Sequence, residues 1–477
     1  MRTSQSLTQG PIARTLLGFA LPILFGNVLQ SLNGSVNSIW VGRFLGEAAL
    51  GATANANSIL FLLIGGVFGV SMASTILVAQ YVGAGAAPEA RRVVGTSASF
   101  FALVAVTIAA LGWLGAPRLL AWMRTPGASA GLALDYLRII FIAVPFIYLY
   151  TFVMAVLRGA GDSKTPFKFL LLSVGLDIVL NPLLIFGWGP LPRLGIAGSA
   201  TATLIANAVS LAALLAHLYR RQHPLWLHGR DLALLRLDGA IVATLLRKGL
   251  PMGLQLLLVS ANMLALVSLV NRFGTDTTAA YGATWQLWNY LQMPAFALGA
   301  AVTSMAAQNV GAGRWDRVQR IAGAGVGFHC AATGALVLLL LALNRHALGL
   351  FLPAGAALDI AAHINATSAW SFVFFGISMV LFGIVRSTGA VVPPLVILLI
   401  ALWGVRLPVA VGLAPRFGAD AIWWSFPLAS SISALLAVSY YRFGGWRAAH
   451  MMRERTAAPV GGGAALAHAP GSMPPEP

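Results

Sequence analysis

The chain is short of acid and of cysteine. Only 13 of its 477 residues are Asp or Glu, against 30 Lys and Arg, and one residue, Cys330, is a cysteine. A single thiol excludes an intrachain disulfide and a cysteine metal cluster. Set in an apolar run before Ala331-Ala332, it reads as a small buried residue. The histidines are scattered, with no metal-ligand spacing. Charged residues of both signs make up 9% of the chain while 58% is hydrophobic, which is too apolar for a soluble fold of this size. Lipid is the solvent this composition implies. The formal charge of +17 does not point to nucleic acid, because the basic residues fall between hydrophobic runs, where they act as a topology signal.

What is present is written twice. Leu21-Pro22 recurs as Leu250-Pro251, Val41-Gly42-Arg43-Phe44 as Val270-Asn271-Arg272-Phe273, and Gly51-Ala52-Thr53 as Gly282-Ala283-Thr284. Gln80-Tyr81-Val82-Gly83-Ala84-Gly85 recurs as Gln308-Asn309-Val310-Gly311-Ala312-Gly313, Arg158-Gly159-Ala160-Gly161 as Arg386-Ser387-Thr388-Gly389, and Pro166 as Pro394. The matches keep their order and a nearly constant spacing. A duplicated, strongly apolar chain reads as a two-halved membrane transporter.

Apolar runs of about 20 residues or more lie near 14–40, 50–81, 93–115, 134–158, 166–188, 194–218, 243–271, 278–307, 318–343, 362–386, 391–413 and 419–441. The predicted fold is therefore an all-α integral membrane protein of twelve transmembrane helices in two pseudo-twofold-related six-helix bundles. The first run is long enough to span and no small-residue cleavage site follows a short core, so it reads as a span and not a cleavable signal. Placing the N-terminus in the cytoplasm puts 21 Lys and Arg on that side and 8 on the other, which predicts cytoplasmic termini at both ends. The expected domains are an N-terminal bundle (1–218), a charged cytoplasmic linker (219–242), a C-terminal bundle (243–441) and a cytoplasmic tail (442–477), largely disordered because it turns Gly/Pro/Ala-rich. Six spans per half is an even number, so both halves enter the membrane in one direction and cargo is expected between them near the midplane.

Asp177 is the acid in the middle of an apolar run, Leu170 to Pro182. A carboxylate at such depth costs about 2.5–3.5 kcal/mol on insertion scales and normally faces a cavity or a partner. Ser173, Asp177 and Asn181 follow at i, i+4 and i+8 on one helix face, and Pro182 frees a backbone carbonyl. This face is predicted to take up a proton or a small cation, with transient Na⁺ at Asp177. The first span offers a second polar face: Asn27, Gln30, Asn33, Gly34, Asn37 and Ser38. Amides are costly against lipid, so Asn33 and Asn37 are expected to complete the cation site and Gln30 to meet cargo. In the second half Tyr281, Trp285, Trp288 and Gln292 recur at helical spacing, with Gln255 and Asn262 on the preceding span. Aromatic surface with a few amides suits flat organic cations; the competing reading of such a stripe is helix packing.

The Arg158-to-Pro166 loop lacks the Lys-Ser ending of a phosphate-binding loop, and no nucleophile, base and orienting group cluster by spacing. No enzyme, no cofactor beyond H⁺ or Na⁺ as coupling ion, and no nucleic-acid partner are expected; lipid and small organic cations are, with the protein a monomer.

The chain resembles the multidrug and toxic compound extrusion (MATE) family from about Gly10 to Arg442. The resemblance rests on Leu21-Pro22, Val36-Asn37-Ser38-Ile39-Trp40-Val41-Gly42, Gln80 to Gly85, Leu157-Arg158-Gly159-Ala160-Gly161-Asp162, Leu180-Asn181-Pro182-Leu183-Leu184-Ile185-Phe186-Gly187, and Leu194-Gly195-Ile196-Ala197-Gly198-Ser199-Ala200-Thr201-Ala202-Thr203. It implies a cation-driven antiporter that expels drugs across the inner membrane through a V-shaped pair of bundles. Two family positions differ. Asn37 stands where members often carry an acid, and Asp177 precedes Asn181 where many have Asn then Asp. Leu256 to Ser260 also lacks the Glu of many sodium-coupled members, which favours proton coupling and leaves sodium open. The alternative within this architecture is a flippase for lipid-linked oligosaccharide. It would want a basic cavity, and Arg406 is the basic residue well inside a span. A major-facilitator carrier is disfavoured because the loop after the second span, Gly83 to Arg92, lacks that group's Asp-Arg signature.

Overall fold

A computed structural model describes residues 7–123, 127–187, 192–449 and 451–452. Its described elements are helical, as lipid demands of a chain whose backbone must satisfy itself. The first half contains α1 (Ile12–Leu45), α2 (Glu47–Gly83), α3 (Ala87–Trp122), α4 (Gly127–Gly159), α5 (Lys164–Phe186) and α6 (Ile196–Arg220). The second contains α7 (Gly239–Val270), α8 (Thr275–Gly311), α9 (Trp315–Ala342), α10 (Ala356–Ser368 and Ser371–Ser387), α11 (Val392–Gly412) and α12 (Asp420–Phe443). Among the described residues nine of these helices are long and apolar enough to cross a membrane by themselves, and α10 makes a tenth if its two pieces, bent by 46°, count as one span. The remaining two are α2, of which Val67–Gly83 counts as a shorter apolar helix, and α8. The helices follow the predicted runs, and several run past them, as where α3 begins at Ala87.

The repeat is visible in the backbone. Pro22 lies inside α1 and Pro251 inside α7, and the turns after α2 and α8 both close on a glycine with φ of 70°, Gly85 and Gly313. That positive φ is the reason each turn ends in glycine. The repeats differ in α11, where Ile400–Arg406 winds as a π-helix and α5 stays α-helical.

The segment between the bundles is strapped along α3. Arg91 pairs with Asp231 and donates to the Pro224 carbonyl, Arg92 pairs with Asp238, and Thr96 donates to the Arg236 carbonyl. Gly95 lets the strap approach, since a Cβ there would strike the Leu234 carbonyl. Of the tail, Trp446 is buried against Trp315 and Tyr441, while 453–477 lie outside the described residues.

The two halves meet at the end that carries both termini. Gln80 donates to the Ser387 carbonyl (2.6 Å) and Gln308 to the Gly159 carbonyl (2.9 Å). The Leu7 N–H donates to Gln308 Oε1 (3.1 Å), Asn309 donates back to the Leu7 carbonyl, and Arg314 and Arg317 donate to the Thr8 and Gly10 carbonyls. Gly83 and Gly311 allow the approach: a Cβ on Gly83 would collide with Gln308 O, and one on Gly311 with Gln80 O.

Candidate functional site

Asp177 sits on α5, nine residues before its end at Phe186, about 14 Å by helical rise. It is 4% exposed. Among the described residues, every hydrogen bond its carboxylate accepts comes from a neutral donor on a neighbouring helix. Asn33 and Asn37 of α1 donate to Oδ2 at 3.0 and 2.7 Å, and Thr203 of α6 donates to Oδ1 at 3.0 Å. Asn181, fully buried one turn on, donates to Asn37 Oδ1 (3.0 Å) and to the Asp177 carbonyl (2.9 Å). Three helices are therefore tied to one carboxylate.

Hydrogen bonds to a charged group contribute about 1.5–3 kcal/mol each. Three of them are enough to offset an insertion cost of about 2.5–3.5 kcal/mol without a cation beside the carboxylate. Among the described residues the ion pairs are Arg91–Asp231, Arg92–Asp238, Arg345–Asp359 and His363–Asp420, and none involves Asp177. Two amide oxygens in the cluster, Asn33 Oδ1 and Asn181 Oδ1, are buried and unpartnered. The site thus holds a carboxylate and uncommitted oxygens with no resident counter-charge. One turn further along α1, Trp40 stacks on Phe44 (5.3 Å) and meets the edge of Phe186 (6.2 Å), which closes α1 onto α5 beyond the polar cluster.

The structure brings together four of the residues read from the sequence as the cation site: Asp177, Asn181, Asn37 and Asn33. Ser173 is buried on the same face of α5 and takes no part in the cluster's hydrogen bonds described above. Thr203 was missed. It belongs to a stretch rich in small residues that reads as helix packing, and nothing in its spacing aims it at α5. Gln30 is exposed on the same side of α1 as Asn33 and Asn37.

The second-half residues do not form one surface. Trp288 is fully buried, its indole N–H donates to Asn365 Oδ1 (2.9 Å), and its ring packs against Phe372 and Phe426. Tyr281 stacks on Trp423. The aromatic stripe joins α8 to α10 and α12, which is why it recurs at helical spacing. Trp285 remains partly exposed beside it. Gln255 lies toward the termini-bearing end, where it donates to the Val391 carbonyl and accepts from Arg386. Asn262 is fully buried and donates to the Leu402 carbonyl of the π-helix (2.9 Å).

The MatE family model matches residues 22–183 and 251–411, one segment in each half. The chain belongs to the MatE family. It is 36% identical over 442 residues to the probable multidrug resistance protein YoeA of Bacillus subtilis, covering 92% of this chain and 96% of that one. It is 31% identical over 456 residues to the probable multidrug resistance protein YpnP of the same organism, covering 94% and 99%. Among solved structures, an outward-facing multidrug resistance MATE family transporter of the MOP superfamily superposes with a TM-score of 0.85 at 20% identity, covering 93% of this chain and 98% of that one. MATE proteins are membrane transporters, not enzymes. The flippase alternative gains no support from these likenesses.

Proposed function

We propose that this chain is an ion-driven antiporter that exports organic, cationic drugs or toxic compounds, and that Asp177 takes up the coupling ion, H⁺ or Na⁺. The observation that carries the reading is a buried, uncompensated carboxylate holding α1, α5 and α6 together. The relatives named as multidrug resistance proteins support drug-like cargo.

A proton bound on Oδ2 makes that oxygen a hydroxyl and a poorer acceptor, which weakens the Asn33 and Asn37 bonds and with them the tie of α1 to α5. A bound Na⁺ takes oxygen ligands, and the unpartnered Asn33 and Asn181 oxygens suit that role. Either ion alters the seating of α1, and that change is the step that repacks the N-terminal bundle and releases cargo. The positive-inside asymmetry places the termini-bearing end in the cytoplasm. The halves are joined at that end, which fits a conformation closed toward the cytoplasm. Energetics favour antiport: at −100 mV each positive charge moved outward costs about 2.3 kcal/mol, which an inward ion offsets. The unit is a monomer, with the site inside one chain.

The test is efflux of a fluorescent cationic dye from proteoliposomes with ΔpH and ΔNa⁺ imposed separately. Efflux driven by one gradient identifies the ion; efflux indifferent to both overturns the antiport reading.

A further inference from the structure

The repeat gives Asp177 a counterpart of opposite charge. Arg406 follows Asp177 at the same distance along the chain as Asn262 follows Asn33, and that distance is the spacing of the duplication. As Asn33 of α1 reaches α5 beside Asp177, so Asn262 of α7 reaches α11, where it meets the π-turn that ends at Arg406. Where the first bundle buries an acid, the second carries a base.

Arg406 is aimed inward. Its guanidinium lies over the ring of Phe426, 3.8 Å from the centroid. Phe426 is 2% exposed and packs in turn on Trp288, inside the bundle and away from lipid. One face of the guanidinium is thereby occupied and its N–H edge is not. Among the described residues no carboxylate pairs with it, and its Nε is buried without an acceptor. Two further polar atoms of this region are buried and unpartnered: the Tyr281 hydroxyl, which is within electrostatic range of Arg406, and Asn262 Oδ1. An arginine within a span costs about 2.5–3.5 kcal/mol on insertion scales and is normally paired or aimed at a pathway. A π-turn widens the helix at a single place and recurs at functional sites; here it ends at the arginine, two residues before Pro408.

We propose that Arg406 is a binding site for the anionic group of an aromatic cargo, a carboxylate or sulfonate held on the guanidinium edge and the Tyr281 hydroxyl, with the cargo's ring against the partly exposed Trp285. Guanidinium matches carboxylate geometry through paired N–H donors. The cargo class becomes aromatic acids and zwitterions in addition to simple cations. This rests on the export reading above and narrows its substrate.

The test uses a matched pair of fluorescent probes, 9-anthracenecarboxylate and its methyl ester, which share a ring and differ in charge. Binding to the full chain is measured in nanodiscs of phosphatidylcholine and again with phosphatidylglycerol added. The carboxylate is expected to bind more tightly than the ester. R406Q should weaken it by about 10-fold or more and leave the ester within about 2-fold. R406K should fall between, and Y281F should weaken the carboxylate selectively. Should R406Q fail to fold, R406K and Y281F carry the comparison. Equal binding of both probes, or equal loss of both in the variants, overturns the site and leaves Arg406 a packing residue. Displacement of the carboxylate by phosphatidylglycerol also overturns it, by assigning the site to lipid headgroups. Cationic-dye efflux from proteoliposomes of the same purified protein separates the two readings: wild-type efflux without carboxylate preference sinks the anion site alone, and absence of wild-type efflux sinks the export reading.

Discussion

Gln80 and Gln308, counterparts in the repeat, each donate a hydrogen bond to the backbone of the opposite half, at Ser387 and Gly159. Those two acceptors are themselves repeat counterparts. The swapped pair makes the termini-bearing closure a symmetric clasp, and it explains why this motif is written twice. Removing one donor leaves a buried carbonyl unpaired, at about 1–3 kcal/mol. Gln80→Ala and Gln308→Ala should each shift the open-to-closed ratio at that end by about 10-fold. Spin-label distances between the C-terminal ends of α2 and α8 check this, with no change expected within either bundle.

The glycines beside the clasp give a sharper prediction. Gly83→Ala puts a methyl into the Gln308 carbonyl and Gly311→Ala does the same at Gln80. Backbone cannot yield as a flexible side chain can, so both variants should insert normally but fail to close at this end. Cross-linking of cysteines placed across the closure should fall to background, and transport should stop while cargo binding persists.

Thr203 is the donor the sequence did not reveal. Thr203→Val removes its bond to Asp177 Oδ1, a contribution of about 1.5–3 kcal/mol to the charged site. Affinity for the coupling ion should change by more than about 10-fold, read from the ion concentration that half-saturates efflux. Thr203→Ser keeps the hydroxyl and should restore it.

The strap between the bundles should loosen in acid. His223 lies in a small apolar cavity lined by Phe152, Val156, Leu218, Leu225 and Trp226. Burial pushes its pKa below the ordinary 6.5; Asp162 opposes this and His217 reinforces it. The docked strap therefore binds fewer protons than the released one, so docking is fully stabilised above about pH 6.5 and is lost as pH falls through the lowered value. Hydrogen-exchange protection across 219–238, taken relative to the intrinsic exchange rate at each pH, should be greater at pH 7.5 than at pH 5.5, and His223→Leu should remove the difference.

The sequence disclosed the fold because lipid leaves so few solutions: long apolar runs and a repeat spacing suffice for twelve helices in two bundles. It disclosed Asp177 for the same reason, since one carboxylate among leucines needs a partner. It aligned Asn33, Asn37 and Asn181 with that acid because all three lie on faces set by helical periodicity. Periodicity does not say what a face meets. The Tyr281–Trp288 stripe proved to pack α8 against α10 and α12, and the competing helix-packing reading describes Trp288. Thr203 and the π-turn before Arg406 depend on how separate helices seat against each other, which no local pattern records.

The account turns on ion exchange at Asp177. The direct measurement is ion release on cargo binding, with purified protein in weakly buffered, Na⁺-defined solution, following protons with a pH dye and sodium with a selective electrode. Wild type should release one coupling ion when a cationic dye binds, and Asp177→Asn should release none while remaining monodisperse. Release from the variant equal to that of wild type would contradict the account.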